Sequence, residues 1–111
     1  MIFHLVPLAD WSARPGVPYA SPSLAAEGFT HCSADLAVAL EVAAERYREV
    51  SGLVAVELDE ALLGHEVRRE PGTGGRYPHV YGPLERAAAV RLWDVVWTAD
   101  GRAAATPRAA G

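Results

Sequence analysis

The sequence predicts one α+β domain, and three observations support that class. A single long segment, 34–50, carries apolar residues at helical spacing, whereas several shorter segments alternate or are rich in Val. These shorter segments are not separated by helices of regular length, so a repeating strand–helix–strand fold is not expected. A length of 111 residues, half of them apolar, suits one domain with one modest core.

The first quarter of the chain is predicted to contain a strand and two helical turns. Residues 2–6 form an apolar run ended by Pro7, which is typical of a short strand. On such a strand, His4 faces one side together with its second neighbours, because successive side chains alternate. Segment 10–14 has room for one helical turn, and 21–28 predicts a short helix with an N-terminal serine cap and a terminal glycine.

A strand over 29–32 is predicted to lead directly into the main helix, 34–50. Ser33 lies at the position of the helix N-cap, and a glycine follows the end of the helix. The residues expected to form the buried stripe of this helix are Leu36, Leu40, Ala43 and Tyr47.

The second half of the chain is predicted to contain mostly strands. Segment 53–58 alternates, 65–70 is a polar strand, and 88–98 is rich in Val and Trp. Residues 71–76 contain three glycines and are expected to form a mobile loop, whereas 77–83 is extended between prolines.

The predicted domain covers residues 1–98, and residues 99–111 are expected to form a turn and a frayed tail. Asp100-Gly101 is a typical turn pair, and an Ala/Arg/Pro/Gly tail follows it. The sequence contains no internal repeat and no second domain.

Charge and cysteine content exclude several classes of protein. The formal net charge of −4 and a pI of about 5.5 argue against a broad basic face that binds nucleic acid, although a pocket with two or three arginines remains open. Cys32 is the only cysteine, so no intrachain disulfide can form and a reducing compartment is expected. Without a signal-peptide pattern or a run of roughly 18 apolar residues, a cytoplasmic protein without a membrane anchor is predicted.

Three of the four histidines, His4, His31 and His79, lie at the edges of predicted elements. Any one of them alone is more simply a half-buried residue whose imidazole bonds to a backbone carbonyl. Three such residues in one small domain favour a shared site, because imidazole changes protonation near neutral pH and suits acid–base catalysis.

The segment around His31 gives the sharpest local signal. On a strand, His31 and Ser33 point to the same side and Cys32 to the other, so Cys32 is expected to be a buried, inert core residue. This geometry disfavours a Cys/His nucleophile pair. Ser33 can serve both as a helix cap and as a contact for a phosphate or carboxylate at the helix N-terminus.

The other candidates flank the glycine loop. Tyr81 stands two residues after His79, and Gly82 leaves space for close approach of a ligand. Glu70 ends the polar strand and is either a solvated surface carboxylate or part of the pocket. Arg76 is placed to meet an anionic ligand, although a loop arginine is more often solvated.

Histidines also serve as metal ligands and as paired catalytic residues of phosphoesterases. Three imidazoles can hold zinc, but neither HxH nor HExxH spacing occurs, so no metal site is predicted. One His-x-Ser element, at residues 31–33, is only half of the paired signature of two-histidine phosphoesterases.

Five strings of residues give the chain a family resemblance. Within them, Gly-Phe-x-His-Cys-Ser and Pro-His-x-Tyr-Gly-Pro are specific, and together they resemble the bacterial domain-of-unknown-function family 952 over residues 1 to about 97. The strings are Phe3-His4-Leu5-Val6, Ser23 to Ser33, Val56-Glu57-Leu58-Asp59, Glu70-Pro71 and Pro78 to Leu84.

The resemblance implies a fold of the ADP-ribosyltransferase group, a split, curved β structure that clamps NAD in its best-known members. It implies no established activity. In that wider group a first-strand histidine contacts the NAD ribose, and His4 occupies the analogous place. The catalytic glutamate of the group has no clear counterpart, and Glu70 is nearest by position. RNA 2′-phosphotransferases share the fold but rely on basic residues, in contrast to this acidic chain.

Two hypotheses for function follow. The first is an enzyme, or former enzyme, that binds a nucleotide-like ligand and transfers ADP-ribose or a phosphate group, with NAD a candidate ligand or substrate rather than an assigned cofactor. The second is a ligand-sensing or protein-interaction module that uses the same pocket without turnover. The expected catalytic residues are His4, His31, Glu70, His79 and Tyr81, and the expected ligand contacts are Ser33, Arg76 and Gly82.

Overall fold

The computed structural model of the chain describes residues 1–108, in which seven strands form two antiparallel sheets. The first sheet has four strands in the order β1-β3-β6-β7. They are β1 (Ile2–Pro7), β3 (Leu53–Leu58), β6 (Ala89–Trp97) and β7 (Ala103–Pro107). The second sheet has the order β2-β5-β4. Its strands are β2 (Thr30–His31), β4 (Val67–Arg69) and β5 (Pro78–Val80).

The two sheets meet at one place, beside the edge of β1. Phe3 and Ser33 exchange two backbone hydrogen bonds of 2.9 and 2.7 Å, as in an antiparallel ladder. On its other side, the same extended segment bonds to the first residue of β5, through Cys32 N–H to the Pro78 carbonyl at 2.9 Å. The segment that contains Ser33 therefore joins the sheets, and the region between them is where side chains from both can meet.

Three α-helices and two short 3₁₀ turns accompany the sheets. The helices are α1 (Leu8–Ser12), α2 (Pro22–Glu27) and α3 (Leu36–Arg46), and the 3₁₀ turns are Glu60–Leu62 and Arg86–Ala88. Helix α3 packs on the face of the first sheet that carries Phe3 and Leu5, through its buried Ala39 and Ala43. A second core cluster, on the opposite face, contains Ile2, Val6, Val54, Val56, Leu58, Val80 and Leu84. The predicted α+β class is confirmed.

The start of the main helix differs from the prediction. Asp35, and not Ser33, is the N-cap of α3, and its Oδ1 accepts a bond of 2.8 Å from the N–H of Val38. The physical reason is that Ser33 uses both backbone groups in pairing with Phe3, so the chain is still extended there. The helix ends at Arg46 rather than near Val50, because the chain must turn before it enters β3.

The predicted frayed tail was wrong for residues 103–107. These residues form β7 and pair with β6 along the whole length of β7. Nothing in their composition distinguishes them, and the strand forms by pairing with the backbone N–H and C=O groups on the free side of β6. The predicted turn at 100–101 is confirmed, with Gly101 at a φ of +81°. The last three positions of the predicted tail, 109–111, lie outside the described residues.

Other strands are shorter than predicted, while their positions are confirmed. The polar strand predicted over 65–70 is β4, Val67–Arg69, and the strand predicted over 29–32 is β2, Thr30–His31. Gly28 ends α2 in the left-handed region, at a φ of +88°, as the sequence predicts. Within residues 1–108, no helix combines the length and apolar character that crossing a membrane requires.

Candidate functional site

The second sheet brings His31 and His79 side by side. His31 is the register partner of His79, and His79 is in turn the partner of Arg68, so the three side chains lie in one row on one face of the sheet. Their strand neighbours Thr30 and Val80 point to the other face and are fully buried. Burial of that inner face therefore determines which way the histidines point.

The imidazole of His79 is held between aromatic rings. It stacks on Phe29, with centroids 3.9 Å apart and planes inclined by 11°. The ring of His31 meets it edge-on, with centroids 5.4 Å apart. The side chain of His79 is only 16% exposed, whereas that of His31 is 52% exposed. Thus the two imidazoles are adjacent, one largely enclosed and the other open to solvent.

A carboxylate stands beside each of the two imidazoles. Nε2 of His31 lies 2.9 Å from Oε2 of Glu27. Nδ1 of His79 lies 3.6 Å from Oε1 of Glu70, which is longer than a hydrogen bond, and this buried nitrogen has no hydrogen-bond partner among residues 1–108. The same oxygen of Glu70 accepts a bond of 3.0 Å from Oη of Tyr81, and this bond raises the pKa of the tyrosine.

A cavity of about 320 Å³ opens beside this row, where β1, the segment around Ser33, β5 and the end of α3 meet. His31, Ser33 and His79, all predicted as site residues, line it. The other lining residues are Phe3, Leu5, Cys32, Val42, Glu45, Arg46, Tyr47, Thr73 and Tyr77. Glu70 and Tyr81 do not line the cavity and instead lie behind His79.

Several lining residues were not predicted from the sequence, among them the oppositely charged neighbours Glu45 and Arg46 at the end of α3. Arg46 forms no ion pair or hydrogen bond in the part of the chain that the structure describes, whereas five other arginines are paired with carboxylates. A helical signal existed, because Arg46 lies four residues after Val42 and therefore on the same face of α3. This spacing does not by itself place Arg46 in a cavity, because the cavity forms only where β1 and β5 face that end of the helix.

His4 lies behind the site rather than in the cavity. Its neighbours Phe3 and Leu5 line the cavity, and the imidazole of His4 points to the other face of β1, 5.7 Å from the ring of Tyr19. Its Nδ1 donates to the backbone carbonyl of His31 over 2.7 Å, so the residue bridges the two sheets. Burial lowers the pKa of His4 to about 4, although this hydrogen bond opposes part of the decrease.

Arg76 and Gly82, predicted as ligand contacts, have other partners. The guanidinium of Arg76 forms an ion pair with Glu41 of α3, because its loop runs alongside that helix. Gly82 is buried under the ring of His65, and a Cβ atom at Gly82 would lie 2.2 Å from Cγ of that ring. The absence of a side chain at Gly82 therefore serves packing, and the space expected for a ligand is filled by His65.

The predicted burial of Cys32 is confirmed, and burial raises the pKa of its thiol to about 12. Within residues 1–108, no three or more His, Cys, Asp or Glu side chains are grouped so that they could hold a metal ion.

Comparison with known proteins gives a family and a fold. The chain matches the family described as "Protein of unknown function (DUF952)" over residues 5–92. The crystal structure of protein CC0527 from Caulobacter crescentus is similar to this chain, with a TM-score of 0.78 and 32% identity over 93% of this chain and 92% of that chain. A crystal structure of a double mutant of CC0527 gives a TM-score of 0.77 and 31% identity with the same coverage. No curated protein shows significant similarity to the sequence.

Proposed function

The chain belongs to the DUF952 family, and we propose that its cavity binds a small nucleotide-like ligand on which His31 and His79 act as a proton-transfer pair. One observation carries this proposal. Two imidazoles on neighbouring strands line the same cavity, with ring centroids 5.4 Å apart and a carboxylate beside each. A structural role alone does not require both rings to face an open cavity.

The pair suits a reaction in which one group gains a proton while another loses one. Imidazole exchanges protons near neutral pH, and a positioned acid or base of this kind contributes roughly 10²- to 10⁴-fold to a rate. Because His31 is open to solvent and His79 is enclosed, the two rings are not equivalent. This asymmetry supports separate roles as acid and base in the transfer of a phosphate or ADP-ribosyl group.

The rest of the cavity wall suits a ligand with an anionic group and a ring. Arg46 supplies a cation without a carboxylate partner among the described residues, and the hydroxyls of Ser33 and Thr73 offer hydrogen bonds. The rings of Tyr47 and Tyr77 offer apolar and aromatic surface. Phosphate at Arg46 with a base or sugar against the tyrosines is the arrangement that these side chains favour.

The ADP-ribosyltransferase-like fold is part of the same proposal. Two antiparallel sheets that meet at the Phe3–Ser33 bridge are compatible with a split β structure, which makes NAD the first ligand to test. The cavity has room for about ten water molecules at roughly 30 Å³ each, so only one part of a dinucleotide would be enclosed. We assign no ribose contact to His4, since its imidazole points away from the cavity.

A thermal-shift screen against NAD, ADP-ribose, nucleotides and short RNAs with terminal phosphates tests the proposal. A ligand at 100 times its Kd should add about 2.7 kcal/mol of stability. The shift should shrink in Arg46→Gln and persist in the control His65→Gln, whose imidazole is 40% exposed and lies outside the cavity. If none of these ligands shifts the melting temperature, or if Arg46→Gln responds as the wild type does, the proposed ligand class is wrong.

A non-catalytic ligand sensor is the second candidate, and the glycine loop favours it. Thr73 lines the cavity from this loop, in which Gly72, Gly74 and Gly75 all have positive φ. The ion pair of Arg76 with Glu41 ties the loop to α3, so a ligand that moves Thr73 would also alter the surface of the protein. Turnover separates the two candidates. A sensor binds its ligand unchanged, whereas an enzyme converts it and loses rate in both His31→Gln and His79→Gln.

A further inference from the structure

We propose that Glu70 is a positioning residue for His79, and that Tyr81 holds Glu70 in place for this task. The inference rests on the proposed function, because it assigns the working nitrogen of one member of the histidine pair. It gives Glu70 and Tyr81 a role that does not require either side chain to touch the ligand.

One ring nitrogen of His79 has no hydrogen-bond partner among the described residues. Nδ1 is buried and forms no hydrogen bond among residues 1–108, which is unfavourable for a polar atom. The acceptor Oε1 of Glu70 stands 3.6 Å away. A movement of about 0.6 Å brings the two atoms to ordinary hydrogen-bond distance. Phe29 stacks on the face of the imidazole, so the ring is held while the carboxylate approaches.

Hydrogen bonds hold Glu70 in place and connect it to the cavity wall. Its Oε1 accepts the hydroxyl of Tyr81 at 3.0 Å, and the ring of Tyr81 is covered by the guanidinium of Arg68 at 4.7 Å. Its backbone carbonyl accepts the hydroxyl of Thr73 at 2.8 Å. Thr73 lines the cavity, so displacement of Thr73 by a ligand would also move Glu70 relative to His79.

The consequence is a defined direction for proton transfer. When Nδ1–H of His79 donates to Glu70, Nε2 carries the free lone pair. Nε2 can then accept the proton of a ligand hydroxyl as that oxygen forms its new bond, and the ring becomes an imidazolium with N–H at both nitrogens. The carboxylate of Glu70 lies beside the imidazolium and offsets its charge, and the proton leaves again from Nε2. His31 has the opposite arrangement, since Glu27 contacts its Nε2 and leaves Nδ1 available.

Imidazole ¹⁵N NMR on the full chain, recorded without any ligand, tests which ring nitrogen of His79 carries the proton. Spectra are recorded at about pH 8.5, well above the ordinary imidazole pKa, where each ring nitrogen reports whether it carries the proton. In the wild type, His79 should carry its proton mainly on Nδ1. Glu70→Ala and Tyr81→Phe should both shift it toward Nε2. Glu60→Ala is the matched control, because that carboxylate is about as exposed as Glu70 but pairs with Arg69 instead.

Three results would overturn the inference: a proton mainly on Nε2 in the wild type, an unchanged tautomer in Glu70→Ala, or an equal change in Glu60→Ala. If Glu70→Ala does not fold, Glu70→Gln replaces it and should shift the tautomer in the same direction but less. With a substrate found by the ligand screen, Glu70→Ala should lower kcat at least tenfold with KM nearly unchanged. A failed screen refutes the proposed function alone, since the tautomer is read in the absence of ligand.

Discussion

Acidification should weaken this protein through His4, and the structure gives both the sign and the size of the effect. Burial lowers the pKa of His4 from 6.5 to about 4 in the folded chain. Between these two values the unfolded chain binds a proton at His4 that the folded chain does not bind. Stability therefore rises with pH in this window and falls as the solution is acidified.

The magnitude follows from the difference between the two pKa values. Each pH unit inside the window is worth about 1.4 kcal/mol, so the free energy of unfolding should fall by about 3 kcal/mol between pH 6.5 and 4. Domains of this kind have only about 5–15 kcal/mol in total. Protonation of His4 alone therefore removes a substantial part of the stability, because the charged ring would be buried between the two sheets.

Urea denaturation followed by circular dichroism, at several pH values from 7.5 to about 4, measures this loss. His4→Asn is the informative variant, because its amide can still donate to the carbonyl of His31 but does not titrate. Its stability should be nearly flat where that of the wild type falls. Carboxylates whose pKa is lowered in the folded chain, such as Glu60, also reduce the free energy of unfolding when they are protonated at lower pH. This reduction is the same in the wild type and in His4→Asn. His65→Asn controls for the loss of an exposed histidine. Parallel curves for the wild type and His4→Asn would refute the reasoning.

Four further predictions concern other parts of the molecule. Asp35→Ala should lower the free energy of unfolding by about 1 kcal/mol in urea titrations, because it removes the N-cap of α3, and an unchanged value would contradict that role. Cys32 should react with a thiol reagent far more slowly in the native protein than in urea, since the thiol is buried with a pKa of about 12; equally rapid native labelling would refute this. A chain truncated after residue 102 should melt at lower temperature, because β6 loses its partner β7, whereas a frayed tail predicts no change. Elemental analysis of protein purified without chelator should find far less than one equivalent of zinc, and a stoichiometric content would reverse that expectation.

Part of the candidate site could be identified from single segments. His31 and Ser33 stand two apart in an extended segment, so alternation alone placed them on one side, and both line the cavity. The same alternation placed His4 on the face opposite Phe3, but it could not say which face of β1 carries the cavity. That choice depends on α3, which covers the side of Phe3 and Leu5 and leaves His4 on the other.

Local patterns determined the elements of this protein, and long-range contacts determined its site. Apolar periodicity located α3 and most strands, because it reflects which face of each segment must be buried. The distances between segments are set by packing and strand pairing. Arg46 reaches the cavity only because the end of α3 lies over β1, and β7 forms only because β6 offers an edge. The pairing of His31 with His79 joins residues 48 positions apart, and only the register of β2 with β5 decides it.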